Sequence, residues 1–311
     1  MSLTLDRQIH IPVLVEEVVE ALNVAPGNRY VDCTLGGGGH ASAILQRCQP
    51  SGELLGIDSD PEAIKLAQHN LYDYFESTIL INANFSNLEQ ICTETGFAPV
   101  DGILFDLGLS SLQLGTAERG FSFQRNGPLD MRFNPDEKLT AADIVNKLPE
   151  TKLAQLIRIY GEETFAERIA RNIVQNRPIN DTAELAIIVT NSIGVHRGKI
   201  HPATKTFQAL RIAVNRELEY LTSALEQTLN CLNSGGRLVV LSYHSLEDRI
   251  VKNFMLRESK ACLCPPDIPE CRCHHEPKLQ LITRNVIVPT DNEVEINPRS
   301  RSAKLRVAQR L

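Results

Sequence analysis

The sequence predicts a doubly wound, parallel α/β sheet interrupted by an inserted, mostly helical second domain. Two observations carry this class. Short aliphatic runs alternate with helix-like stretches through the first third, and from residue 107 to about 203 only helical periods occur before strand character returns at 236. The 311 residues, 42% hydrophobic and 23% charged, suffice to bury a core and exclude a disordered or fibrous chain.

Residues 29–34, 53–58, 77–81 and 100–106 read as strands, being short, aliphatic and bounded by Gly, Pro, Asn or Asp. Between them, residues 40–48, 61–71 and 86–95 carry apolar positions at helical spacing. Pro61 suits a first helical turn, and Ser86, with Glu89 three residues on, suits an N-cap. Beyond the Gly-rich stretch 107–133, helices are expected at 141–147, 150–159, 163–176 and 181–193. Strands are expected again at 236–243, 278–283 and 303–307. The sheet domain is thus split into 1–110 and 205–311 around an insertion at 111–204.

The segment from Asp32 to His40, with four consecutive glycines, joins the first strand to the first sheet helix. Glycines let the backbone approach a ligand, and a helix N-terminus offers unpaired N–H groups. Gly36, Gly38 and Ala41 fit the loose G-x-G-x-x-G/A pattern, and Asp58 closes the second strand twenty residues after Gly38, where a carboxylate accepts ribose hydroxyls. A structural tight turn is the plain alternative. Two cofactor classes suit such a loop, an NAD-type dinucleotide and S-adenosylmethionine. A pyrophosphate needs the helix N-terminus aimed at it, whereas the ammonium and sulfonium of S-adenosylmethionine favour acids. Asp32 and Asp106 end the first and fourth strands, on the edge where ligands bind, and tilt the balance toward S-adenosylmethionine. Either Asp alone is equally a turn or helix cap.

Further motifs extend along nearly the whole chain: residues 10–14 (HIPVL), the 34–40 loop, 106–111 (DLGLSS), 119–123 (RGFSF), 127–132 (GPLDMR), 201–207 (HPATKTF), 242–249 (SYHSLEDR) and Asn297-Pro-Arg. Together they resemble the RsmH (MraW) family, bacterial S-adenosylmethionine-dependent methyltransferases that act on N4 of a cytidine in 16S ribosomal RNA. The resemblance implies a Rossmann-like class I methyltransferase sheet and a target in the decoding (P-site) region of the small subunit. Carried over by matched motif, it implicates Gly38, Gly39, His40, Asp58, Phe85, Asp106 and Gln113 in cofactor binding. The loop backbone would hold the methionine portion, Asp58 the ribose and Phe85 the adenine face, with Asp106 and Gln113 near the adenine or the methyl-bearing end. Family members often have Pro where Leu112 stands.

Methyl transfer from a sulfonium is an in-line displacement, so positioning dominates and no metal is needed. The cytosine amine is a poor nucleophile, and acceptors on its N–H groups would favour the reactive, pyramidal form. Many amino-methyltransferases use an Asp/Ser-Pro-Pro-aromatic segment for this, but the equivalent place here reads Asp106-Leu-Gly-Leu. The proton acceptor therefore stays unassigned. Ser110, Asp130, Arg132, Ser242 and His244 are candidate lining of the cytosine pocket, His244 being able to take a proton at neutral pH. Ser245, ahead of Glu247 and Asp248, is the expected cap of the helix that follows.

Thirty-eight acidic against 32 basic side chains give a net charge of −6, which by itself argues against a nucleic-acid partner. Its distribution argues otherwise. Residues 185–216 hold Arg197, Lys199, Lys205, Arg211 and Arg216, and residues 297–311 hold Arg299, Arg301, Lys304, Arg306 and Arg310, neither run containing an acid. Either run alone is as readily solvated surface. A cytosine within a duplex would need unstacking, so a single-stranded or opened rRNA target is expected.

The start MSLTLDRQIH lacks a signal-peptide pattern and no apolar run reaches membrane-spanning length, so a soluble, cytoplasmic protein with no membrane partner and reduced cysteines is expected. Cys262, Cys264, Cys271 and Cys273 form two Cys-x-Cys pairs around a proline-rich loop and are candidate ligands of a structural zinc; an exposed reduced loop or a disulfide is the alternative. Cys33, Cys48, Cys92 and Cys231 read as small core residues. The functions in competition with the methyltransferase are an NAD-dependent oxidoreductase and a non-catalytic RNA-binding assembly factor.

Overall fold

A computed structural model describes residues 12–194, 200–265 and 270–311. His10, Arg197, Lys199 and the N-terminal signal reading lie outside the described residues. The described chain divides into two units: the part up to Gly108 together with Leu221–Leu311, and Leu109–Tyr220. The second boundary falls at 221 and not at 205, because the helix after residue 203 packs on helices of the insertion.

The first unit begins with α1 (Val15–Ala21), β1 (Arg29–Asp32), α2 (Gly39–Cys48), β2 (Glu53–Asp58), α3 (Pro61–Asn70), β3 (Thr78–Asn82), α4 (Leu88–Glu94) and β4 (Val100–Asp106). β1 stops two residues earlier than the pattern suggests, since the Asp32 carboxylate takes the Thr34 N–H at 3.1 Å and turns the chain. Ser86 is not the cap of α4. Asn84 accepts the Ser86 N–H at 2.9 Å, opening a 3-10 turn over Phe85–Asn87 before the helix starts.

The insertion contains α5 (Ser111–Gly115), α6 (Ala141–Lys147), α7 (Glu150–Gly161), α8 (Ala166–Gln175), α9 (Thr182–Ile193) and α10 (Thr204–Asn215). α8 begins three residues later than its apolar spacing suggests, because the buried Glu163 side chain accepts the Phe165 N–H at 3.0 Å. α11 (Glu217–Cys231) follows, its residues from Leu221 belonging to the first unit, and then β5 (Leu232–Ser242), α12 (Ser245–Glu258), β6 (Leu279–Leu281), α13 (Asp291–Ile296) and β7 (Lys304–Arg310). Among the described residues no helix is long and apolar enough to cross a membrane.

The seven strands form one sheet in the order β3-β2-β1-β4-β5-β7-β6. β1 to β5 pair in parallel, while β7 runs antiparallel to both β5 and β6. The wholly parallel sheet that the alternation suggests thus holds only up to β5. Side chains alternate across the sheet with period two. Val31, Leu55, Ile103, Phe105 and Val240 pack with α4, α11 and α12 on one face, and Tyr30, Leu54, Leu104, Val239 and Leu241 with α1, α2 and α3 on the other. Helices on both faces explain why these strands are near-continuous aliphatic runs.

The insertion has its own core, in which Phe121, Leu129 and Met131 from the Gly-rich stretch pack against α6–α10. Gly120 permits that stretch to fold: it sits at φ +67°, and a Cβ there would collide with the Pro128 carbonyl oxygen. Gly120→Ala combines left-handed strain of ~1–2 kcal/mol with a backbone collision, and is expected to lower stability by at least about 2 kcal/mol. Chemical denaturation measures this, and an unchanged midpoint would show that the stretch rearranges freely.

Candidate active site

Three carboxylates stand at the carboxyl ends of adjacent parallel strands: Asp32 on β1, Asp58 on β2 and Asp106 on β4. Adjacent strands lie only ~4.8 Å apart, so these groups share one edge. Asp58 organises the glycine loop. Its Oδ2 accepts the Gly36 N–H at 2.8 Å and its Oδ1 the Asp60 N–H at 2.9 Å, while Asn70 Nδ2 donates to the Gly37 carbonyl at 2.8 Å. Gly38, at φ +80°, is the N-cap of α2, and Gly39 is the first helical residue. His40 is buried one residue further on; its Nε2 donates to the Val13 carbonyl at 2.9 Å, and its Nδ1 lies 3.5 Å from Asp106 Oδ2.

Asp106 is held from two further sides. Its N–H donates to Thr34 Oγ1 at 2.6 Å, and the Tyr243 hydroxyl donates to its Oδ1 at 2.7 Å. Thr34 in turn contacts Asp32, so the ends of β1 and β4 are tied by one side chain. Neither Thr34 nor Tyr243 is singled out by sequence reasoning. Tyr243 reaches Asp106 because β4 and β5 pair Asp106 with Leu241, and two residues on the chain faces the same way. Burial and the neighbouring Asp106 carboxylate push the Tyr243 hydroxyl well above its ordinary value, so it stays a donor.

Asp32 is 1% exposed. Burial pushes its carboxyl up to about 7; nearby His40 and the Thr34 N–H act in the opposite sense, and Asp106 and Asp58 reinforce the rise. Unfolded, the same group titrates near 3.8. Between these values the folded chain binds more protons, so the contribution of Asp32 to stability is fully present below about pH 4 and is lost as pH rises through about 7. The melting temperature of the native chain minus that of Asp32→Asn is expected to fall across this window; a difference independent of pH would contradict the assignment.

Phe85 is half-buried and meets Phe105 edge-on, with ring centroids 5.6 Å apart. Ser242 is buried at the end of β5, with its hydroxyl 3.5 Å from the Lys304 carbonyl on β7. His244, not Ser245, caps α12: Glu247 N–H donates to His244 Nδ1 at 3.3 Å, and Glu247 Oε2 accepts the His244 N–H at 3.3 Å. His244 Nε2 stands 3.0 Å from Glu247 Oε1 but without hydrogen-bond alignment, a buried donor in need of a partner.

The remaining predicted site residues belong to the insertion. Ser110 and Gln113 form the capping box of α5, with Ser110 Oγ accepting the Gln113 N–H at 3.2 Å and Gln113 Oε1 accepting the Ser110 N–H at 3.1 Å. Arg132 donates through Nε and a terminal nitrogen to Asp130 at 2.8 and 2.6 Å, and its other terminal nitrogen serves the Pro135 and Glu137 carbonyls. Partial burial alone would raise the Asp130 carboxyl, but its bonds to Arg132 outweigh this and hold it below the usual range. The pair shapes its own loop.

Among the described residues, the cations of the basic runs are largely occupied. Arg211 makes a bidentate, nearly buried pair with Glu217 and Arg216 pairs with Glu219, while Lys304 and Arg306 both pair with Asp248. The acids lie just beyond the runs or elsewhere in the chain, which counting along the sequence does not show. Arg310 serves the Leu229 and Lys278 carbonyls, and Lys205 that of Glu162. Arg299 and Arg301 remain exposed.

The strand order, the reversed β7 and the acids ending β1, β2 and β4 define a class I S-adenosylmethionine-dependent methyltransferase. The chain belongs to the MraW methylase family, whose profile matches residues 7–311. A protein named ribosomal RNA small subunit methyltransferase H from Dehalococcoides mccartyi is 58% identical over 97% of this chain and 86% of its own length. Proteins of the same name from Thermomicrobium roseum and Clostridium botulinum are 50% and 48% identical, each over 97% of this chain and over 94% and 99% of their own lengths. An rRNA methylase from Streptococcus thermophilus aligns with 97% of this chain and 99% of its own at 12% identity and a TM-score of 0.45, too remote to bear on function.

Proposed function

We propose that the protein transfers the methyl group of S-adenosylmethionine to the exocyclic N4 of a cytidine in 16S ribosomal RNA, in the cytoplasm. The observation that carries this is the set of three carboxylates on one sheet edge, with the buried His40 set into the first turn of α2. Such an edge suits a ligand bearing an ammonium and a sulfonium and repels a pyrophosphate, which disfavours the NAD-dependent reading. The intact acids, and the name shared by the relatives, disfavour a non-catalytic assembly factor.

S-adenosylmethionine, when bound, supplies an electrophilic methyl group on a cationic sulfur. The residues of this chain bind and orient it. Gly38 and Gly39 let the backbone approach the methionine portion, Asp106 offers the counter-charge, and the buried Asp32 fixes the turn behind it. A carboxylate has about four acceptor sites, so Asp58 receives the ribose hydroxyls in addition to the N–H groups of Gly36 and Asp60. Phe85 offers a ring face to adenine. Gln113, Ser110, Asp130 and Arg132 act through the loops they fold, and the insertion carries RNA recognition. His244 is the candidate acceptor for the N4 proton, its Nδ1 exchanging the Glu247 N–H for that proton.

Among the described residues of the two basic runs, Arg211, Arg216, Lys304 and Arg306 are held in ion pairs, so RNA binding is expected to lose affinity with salt less steeply than ten bases imply. Mass spectrometry of small-subunit rRNA nucleosides from cells with and without the gene tests the proposal. Loss of N4-methylcytidine is the expected result, and unaltered N4-methylcytidine overturns it.

A further inference from the structure

The connection from α12 to β6 contains no helix or strand among its described residues, yet it brings four sulfurs together. Cys262, Cys271 and Cys273 are exposed and Cys264 is half-buried, whereas Cys33, Cys48, Cys92 and Cys231 are all buried in the sheet unit. Hydrophobic burial therefore does not account for the cluster. The Sγ atoms of Cys262, Cys271 and Cys273 are 3.4, 3.6 and 3.8 Å apart, and all four sulfurs lie within 4.8 Å of one another. A disulfide needs ~2.05 Å, while zinc at ~2.3 Å from each of four sulfurs sets tetrahedral edges of ~3.8 Å. The separations match the second.

The surrounding backbone is arranged for thiolates. Cys264 N–H points to Cys262 Sγ at 3.4 Å, Leu263 N–H to Cys273 Sγ at 3.3 Å and Arg272 N–H to Cys264 Sγ at 3.3 Å. Donors aimed at sulfur are the outer shell that spreads the charge of a metal-bound thiolate. The base of the connection is closed independently. His275 Nε2 donates to the Arg257 carbonyl at 3.2 Å, and Lys278 N–H to the Glu258 carbonyl at 2.8 Å. These bonds fix the ends of the connection but give the cysteines between them no apolar interior.

We infer that Cys262, Cys264, Cys271 and Cys273 form a closed, structural Zn²⁺ site that supplies this connection with its core. Each Sγ–H gives its proton to solvent as its zinc–sulfur bond forms, and no electron is exchanged. A full tetrahedron of protein ligands leaves no open position for substrate, so the ion holds structure and takes no part in methyl transfer.

The full chain, purified without chelator, is expected to carry about one zinc per molecule, displaced by a mercurial that caps thiols. Cobalt exchanged into the site should show sulfur-to-metal charge transfer and tetrahedral d–d bands. Cys264→Ser and Cys271→Ser should each lower the bound metal at least about tenfold. If a variant fails to fold, the native chain still decides: its cluster thiols should react with Ellman's reagent much more slowly with Zn²⁺ than after dialysis against chelator. Folded native protein with background zinc, cluster thiols indifferent to zinc, or iron–sulfur absorbance in place of zinc would each overturn the assignment.

Discussion

Asp106→Asn is expected to abolish most turnover while leaving the fold intact. The change is isosteric. An asparagine oxygen keeps the Tyr243 hydroxyl bond, the backbone N–H keeps its bond to Thr34, and only the negative charge beside His40 is removed. Hydrogen bonds to a charged group contribute ~1.5–3 kcal/mol, so kcat/KM should fall roughly ten- to hundredfold with the melting temperature nearly unchanged. Calorimetry with S-adenosylmethionine locates the loss. If Asp106 serves the cofactor, Kd rises by a similar factor; if it serves the cytosine amine, Kd holds and kcat alone falls. A variant with native kcat/KM would remove Asp106 from the site.

The second large effect concerns His244. Its imidazole caps α12, so His244→Ala removes a cap worth about 1 kcal/mol together with the candidate proton acceptor. His244→Asn separates the two roles, because an amide caps a helix but takes no proton near neutrality. Both variants are expected to bind S-adenosylmethionine normally and to lose turnover, by about 10²–10⁴-fold if the imidazole accepts the N4 proton. Restored stability with restored turnover in His244→Asn would make His244 a cap and nothing more.

Local chemistry made much of this site readable. Four successive glycines after an aliphatic run, Asp58 twenty residues after Gly38, and an acid ending each of three strands each follow from short-range backbone and charge requirements. What was not readable depends on register and on distant partners. Tyr243 acquires its role only when β5 pairs with β4 so that Leu241 lies opposite Asp106. Arg211 and Arg306 resemble phosphate ligands until Glu217 and Asp248 are seen to hold them. The direction of β7 and the extent of the insertion follow from tertiary pairing, which periodicity does not encode. His244 displaced Ser245 as the cap because an imidazole nitrogen met the Glu247 N–H, a geometry outside the usual Ser/Thr/Asp/Asn expectation.

The split of the sheet unit by the insertion has a consequence for synthesis. β4 is complete at Asp106, but its partner β5 begins only at Leu232. A nascent chain therefore carries an aliphatic edge with no neighbour while the whole insertion is made. Such an edge invites pairing with another chain. The intervening elements are helices, whose local contacts form fast. Rapid collapse of that stretch keeps the effective loop between β4 and β5 short, and the time during which the newborn protein is open to aggregation falls accordingly. The insertion thus also bears on how safely the chain is born.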